Sequence, residues 1–214
     1  MKQTEMRALI LKISKRSYDE KLFAGTSGNL SIYDPDSKII AITPSGIDYQ
    51  TMKTEDISLI TVDGDILEGP HKPSSEWRMH AAIYRDRADV RAVIHTHSPY
   101  ATAFSVIREG IPAILEEMIP HIGGDVPVSE FAPAGTEALG TEALKALCRR
   151  RSCLLANHGV LAVGVDIDQA YKSAVYTEDA AKIYAIARNS GAIRVLPAET
   201  QNNIRRKYNM TEEL

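Results

Sequence analysis

The chain has 214 residues, 44% of them hydrophobic, and a formal net charge of −3 with a pI near 6.1. That suits one globular domain over residues 1–214 with a sizeable core. It offers no basic field for nucleic acid or an anionic membrane, so the expected partner is a small molecule. No apolar run approaches the ~20 residues of a membrane span, and Met1-Lys2-Gln3-Thr4-Glu5 has no signal-peptide apolar core, which points to the cytoplasm.

An amphipathic helix is expected from Gln3 to about Glu20, with Met6, Leu9, Ile10 and Ile13 at helical spacing. Gly25-Thr26-Ser27-Gly28-Asn29 follows, either a plain tight turn or a nest of backbone N–H groups suited to a phosphate. Leu30 to Tyr33 and Lys38 to Thr43 read as strands, the second ending in the loop Pro44-Ser45-Gly46. Ser58 to Val62 and Asp65 to Leu67, joined through Asp63-Gly64, read as a β-hairpin. These strands, with short connections and no long helix between them, argue for an α+β sheet flanked by helices and against a regular βαβ chain.

Pro73-Ser74-Ser75-Glu76 opens a helix running to about Arg85, with Ser74 or Ser75 as its N-cap. The two serines either only cap that helix or, with free N–H groups and the helix dipole, form an anion site with Glu76 beside it as ligand or base. Ser98-Pro99 starts another helix, the hydroxyl capping and proline at the first position, ending near Ile107. Glu116-Glu117 reads by default as a solvated pair. Gly123-Gly124 marks a turn, Thr136 caps a helix, and Asp168 to Ser190 is one long helix. Glu199 to Leu214 is a polar tail with a short, fraying helix. Cys148 and Cys153 flank an Arg-rich turn without a nearby histidine, which argues against a disulfide framework or a Cys-rich metal site.

The chemistry concentrates in Val93-Ile94-His95-Thr96-His97, where an apolar strand turns into two histidines one residue apart. Residues i and i+2 of a strand share a face, so both imidazoles can reach one point. His158, in Asn157-His158-Gly159, arrives where a second apolar run ends. A histidine at a strand end is ordinarily just hydrogen-bonded, but three together make the protein half of a catalytic zinc-type site with coordination left open.

Gly25-Thr26-Ser27-Gly28-Asn29, Thr43-Pro44-Ser45-Gly46, Pro73-Ser74-Ser75-Glu76, His95-Thr96-His97 and Asn157-His158-Gly159 stand in the order and approximate spacing of the class II aldolase and adducin-head family. The chain resembles that family over nearly its whole length, and most of all its L-fuculose 1-phosphate-cleaving branch. The resemblance implies an α/β fold of α+β type with a mainly antiparallel central sheet, in a homotetramer whose active sites lie between subunits. It implies one divalent ion per subunit, zinc with manganese or cobalt as alternatives, on His95, His97, His158 and Glu76. Glu76 would also move protons. Thr26, Asn29, Ser45, Gly46, Ser74 and Ser75 would hold the phosphate of a small sugar. The implied reaction cleaves a ketose 1-phosphate to dihydroxyacetone phosphate and a lactaldehyde-like aldehyde through a metal-stabilised enediolate.

Departures from the pattern keep other readings open. Glu117 stands where the aldolases carry a proton-donating tyrosine, and the related methylthioribulose-1-phosphate dehydratases carry a catalytic glutamate at a comparable position. Tyr208 matches the C-terminal aromatic wall over the aldehyde only approximately. L-Ribulose-5-phosphate 4-epimerases have aspartate in place of Glu76. A non-catalytic module like the adducin head is the alternative from another class, although nothing in such a module requires three histidines.

Overall fold

Apolar residues in the strand segments alternate between two faces, and the sheet they build follows from that alternation. In the computed structural model, which describes residues 1–210, the strands are β1 (Asn29–Asp34), β2 (Ile39–Ile42), β3 (Ser58–Thr61), β4 (Ile66–Glu68), β5 (Ala92–Thr96), β6 (Ser152–Leu155) and β7 (Gly159–Gly164). They form one sheet in the order β4-β3-β2-β1-β5-β7-β6. Every neighbouring pair is antiparallel, as the short connections predict. The helices are α1 (Gln3–Asp19), α2 (Trp77–Asp86), α3 (Pro99–Val106), α4 (Met118–Ile122), α5 (Glu137–Leu147), α6 (Ile167–Ser190) and α7 (Ala198–Lys207). The expected tail helix is α7; its extension over 211–214 lies outside the described residues.

Leu30, Ile32, Ala41, Leu59 and Ile94 pack with Met6 and Ile10 of α1 and Ala170 and Ala174 of α6. Their strand neighbours Ile40, Ile42, Ile60 and Val93 pack on the opposite face, with Met79 and Ile83 of α2 and Leu139 and Ala143 of α5. Each such aliphatic side chain contributes on the order of 1.5–3 kcal/mol when fully buried. The same alternation sets the site: His95 lies two residues from Val93, on the α2 face, and a one-residue slip of β5 would turn it into the α1 core.

Antiparallel pairing brings the loops of interest to one end of the sheet. β1 begins at Asn29, opposite His95 of β5, and β2 ends at Ile42, opposite Ser31. Thr96 lies opposite Val160, so His158 enters β7 at that same end. The start of α2 is tied there by a Pro44–Pro73 bridge. The Ser74 N–H donates to the Thr43 carbonyl at 3.0 Å and the Ser45 N–H to the Lys72 carbonyl at 2.9 Å.

Two expected caps are replaced. At α2 the N-cap position is Glu76, without a side-chain cap bond; Ser74 shapes the preceding turn, its hydroxyl accepting from Glu76 N–H at 3.3 Å and its carbonyl from Trp77 N–H at 3.1 Å. At α3 the Ser98 hydroxyl makes no cap bond and lies 3.2 Å from Thr96 Oγ1. The Glu178 carboxylate of α6 caps instead, accepting from Tyr100 and Ala101 N–H at 2.9 Å each, where the helix dipole favours a negative charge. α6 itself begins just before Asp168, capped by Asp166, whose side chain accepts from Gln169 N–H. Thr136 caps α5 as expected. Cys153 is buried and Cys148 exposed, both as free thiols.

Candidate active site

His95, His97 and His158 converge, each offering one ring nitrogen within 4.8 Å of the others. His95 is the last but one residue of β5, which is buried throughout, His97 follows it by the strand period, and His158 sits in the three-residue loop joining β6 to β7. That loop turns through Asn157, held at φ 55°, a left-handed conformation that asparagine tolerates better than most residues. Gly159 then lets the loop close: a Cβ there would lie 2.4 Å from the Thr96 carbonyl oxygen and 3.1 Å from His95 Cε1. Gly159→Ala is therefore expected to cost about 1–3 kcal/mol of stability, as overpacking does, and to displace the two β5-end imidazoles. Urea unfolding of the variant measures the cost, and an unchanged midpoint would contradict the contact.

Glu76 lies against two members of the group, His95 and His158. Its Oε2 lies 3.2 Å from His95 Nε2 and its Oε1 3.3 Å from His158 Nε2, while His95 Nε2 and His97 Nε2 are 2.9 Å apart. His95 Nδ1 donates to the Val160 carbonyl at 2.8 Å, which leaves Nε2 with its lone pair facing the cluster. Lone pairs at such separations repel unless a proton or a metal cation lies between them. Donor atoms about 2.0–2.1 Å from a shared ion at tetrahedral angles lie about 3.3 Å apart. Glu76 Oε1 is buried without a hydrogen bond, an oxygen whose position a metal would satisfy. The residues present therefore fit a divalent ion.

Burial opposes the charge on Glu76, but His95, His158 and the Asn29 amide together outweigh it and hold the carboxyl below its usual range. Burial pushes His95 down to about 4 and also lowers His97. Both rings thus stay neutral, as ligands must be. Behind them burial pushes His80 down to about 3. Depressed values in the folded state mean that the unfolded chain binds protons the folded chain refuses, so stability rises with pH between about 4 and the ordinary histidine value of 6.5. Two such groups give a slope of about 2–3 kcal/mol per pH unit near pH 5–6. Urea unfolding of metal-free protein at those two pH values measures it, and a flat profile would contradict neutral burial.

The remaining predicted residues divide. Thr26, Ser45, Gly46 and Ser75 are exposed on loops at this end of the sheet, and Ser74 is buried beside Glu76. The Asn29 side chain is spent largely on the metal group, its amide donating to Glu76 Oε2 at 2.8 Å and its carbonyl oxygen facing His80 at 2.5 Å. Glu117 lies elsewhere. It is exposed at the start of α4, in a cleft of about 110 Å³ lined by Glu116, Pro120, His121, Ile204, Lys207 and Tyr208. His80 is the residue that motif reasoning misses; its signal is the spacing of four from Glu76, one helical turn along the same face.

The fold and this histidine–carboxylate group define a class. Residues 8–185 match the model of the class II aldolase and adducin N-terminal domain, and the chain belongs to that family. It is 36% identical over 202 residues to a 5-deoxy-D-ribulose 1-phosphate aldolase of Bacillus thuringiensis serovar kurstaki, covering 94% of both chains. It is 38% identical to a 5-methylthioribulose-1-phosphate/5-deoxyribulose-1-phosphate aldolase of Rhodospirillum rubrum, covering 86% of this chain and 82% of that one. The solved structure of an L-fuculose 1-phosphate aldolase superposes with a TM-score of 0.92 at 40% identity, covering 96% and 97%. Family, relatives and site together make the chain a class II sugar-phosphate aldolase, not a non-catalytic module of the same fold.

Proposed function

We propose that the enzyme cleaves a ketose 1-phosphate between C3 and C4 to dihydroxyacetone phosphate and a short aldehyde. The observation that carries this reading is Glu76, a buried carboxylate against two of three converging imidazoles and beside the serine-bearing turn of α2. L-Fuculose 1-phosphate and 5-deoxyribulose 1-phosphate both fit. They share everything from C1 to C4 and differ in whether lactaldehyde or acetaldehyde leaves.

His95, His97, His158 and Glu76 would hold a divalent ion, proposed as zinc, with manganese or cobalt also suited to N and O donors. When bound, such an ion polarises the ketose carbonyl and stabilises the negative charge that develops on its oxygen. The phosphate would rest on Thr26, Asn29, Ser45, Gly46, Ser74 and Ser75 through hydroxyls, amides and the start of α2. In cleavage the C4 hydroxyl gives up its proton, the C3–C4 pair withdraws toward C2, and C4 becomes the aldehyde carbon. Glu76 returns a proton to C3.

The group that takes the C4 hydroxyl proton is Glu117 of a neighbouring protomer. In its own chain Glu117 shares a cleft with Tyr208 and with none of the metal-holding residues, so a catalytic role requires a second copy. Exposed Val106, Ile107 and Ile186 leave apolar surface on α3 and α6 for the proposed homotetramer to cover. Free thiols at Cys148 and Cys153 suit the cytoplasm.

Incubation with a panel of ketose phosphates tests the reaction. Dihydroxyacetone phosphate is expected; an inverted ketopentose would mark an epimerase and a diketone a dehydratase. Glu117→Gln is expected to slow cleavage by about 100-fold with metal content unchanged, and a wild-type rate would remove Glu117 from the site. An active monomer in light scattering would sink both the tetramer and the shared site.

A further inference from the structure

Behind Glu76 a column of polar side chains lies between β1 and α2, on a face of the sheet otherwise packed with apolar residues such as Ile40, Val93, Met79 and Leu139. Asn29 and Ser31 share a face of β1 by the period of two, and Glu76, His80 and Tyr84 follow one face of α2 at spacings of four. Glu76 Oε2 meets Asn29 Nδ2 at 2.8 Å, Asn29 Oδ1 meets His80 Nε2 at 2.5 Å, His80 Nδ1 meets Ser31 Oγ at 2.7 Å and Ser31 Oγ meets the Tyr84 hydroxyl at 2.6 Å. All these residues are buried, Ser31 and His80 completely. Buried polar groups are costly when unmet, and a fully met network selects one arrangement.

Donor and acceptor chemistry gives the column one direction. A carboxylate only accepts, so Asn29 turns its NH2 to Glu76 and its carbonyl oxygen to His80. That oxygen also only accepts, so His80 Nε2 carries a hydrogen. Burial keeps the ring neutral, so Nδ1 accepts from the Ser31 hydroxyl, and Ser31 Oγ accepts from Tyr84. Turning the Asn29 amide over would set NH2 against the His80 N–H and its oxygen against the carboxylate, two repulsive pairings in place of two bonds.

We propose that His80 is a positioning residue for Glu76: its Nε2–H fixes the Asn29 carboxamide in the one orientation that donates to Glu76 Oε2, and so holds the carboxylate where the reaction uses it. The link to catalysis rests on the aldolase reading; the hydrogen-bond order does not. His80 acts through Asn29, and a misplaced reacting group costs up to about 100-fold in rate.

Metal-free, ¹⁵N-labelled protein tests the order without substrate. Long-range ¹H–¹⁵N correlation is expected to show His80 as the Nε2–H tautomer at pH 7, and an Nδ1–H tautomer or a charged ring would overturn the proposal. The Asn29 NH2 protons are expected to exchange slowly with water in the wild type and in His80→Gln, whose amide can still donate, and quickly in His80→Phe. Unchanged Asn29 exchange in a folded Phe variant would overturn it. Should that variant not fold, the wild-type tautomer and the Gln variant decide. In the loaded enzyme, His80→Phe is expected to lower kcat on the order of 10-fold, His80→Gln to recover most of it, and neither to matter in an Asn29→Ala background. An equal loss by His80→Phe in that background would show that His80 does not act through Asn29. If no ketose phosphate is cleaved, the aldolase reading fails while the spectroscopic arms still judge the hydrogen-bond order.

Discussion

Glu76→Gln is expected to leave the fold intact and to lower turnover by about 100-fold or more, within the 10²–10⁴ that a positioned acid–base group typically contributes. Glutamine has nearly the same shape, and its amide oxygen can still accept from the Asn29 amide that now reaches Glu76 Oε2 at 2.8 Å. What it lacks is the charge that faces His95 and His158 and a site able to carry a proton to and from C3. Exchange of the C3 hydrogen of dihydroxyacetone phosphate with solvent isolates that step, since it needs neither the aldehyde nor Glu117. The exchange rate should fall in parallel with turnover. Exchange at the wild-type rate in the variant would take the base role away from Glu76, whatever happened to cleavage.

The parts of this site that were readable in the chain are those set by local period. His95 and His97 follow from strand alternation after Val93, and the structure puts their ring nitrogens together. His158 was legible as the end of a second apolar run, and its pairing with the first pair follows from β7 lying against β5. The caps were less legible, because a serine before a helix looks the same whether its hydroxyl serves the helix or the preceding turn. At α2 the Thr43 carbonyl claims the Ser74 N–H and moves the helix start to Trp77; at α3 the cap comes from Glu178, 77 and 78 residues away in sequence. Tertiary contacts of that range leave no local pattern. His80 lies between these cases: its spacing from Glu76 was visible, but its partner Asn29 belongs to a strand 51 residues earlier. Glu117 is illegible for a different reason, since the surface that would give it a catalytic neighbour belongs to another copy of the chain.

His95→Ala and His158→Ala are each expected to release the metal and abolish turnover, the largest effect foreseen for this enzyme. Wild-type protein should hold one divalent ion per chain after dialysis, and each variant well under a tenth of that. The reason is the small number of ligands: a catalytic site that leaves a position open for substrate has no spare imidazole to lose. The two variants differ in their side effects. His95 is fully buried and bonded to the Val160 carbonyl, so its removal also leaves a cavity and an unmet acceptor, whereas the His158 side chain is 16% exposed and costs less structure. Thermal unfolding with added zinc separates the two contributions, because a ligand of the folded state stabilises by mass action, by about 2.7 kcal/mol at 100 times its dissociation constant. The wild type should gain that increment and both variants should lose it, His95→Ala from a lower metal-free starting point. Full metal retention by both variants in elemental analysis would mean that the ion, if bound, is held elsewhere.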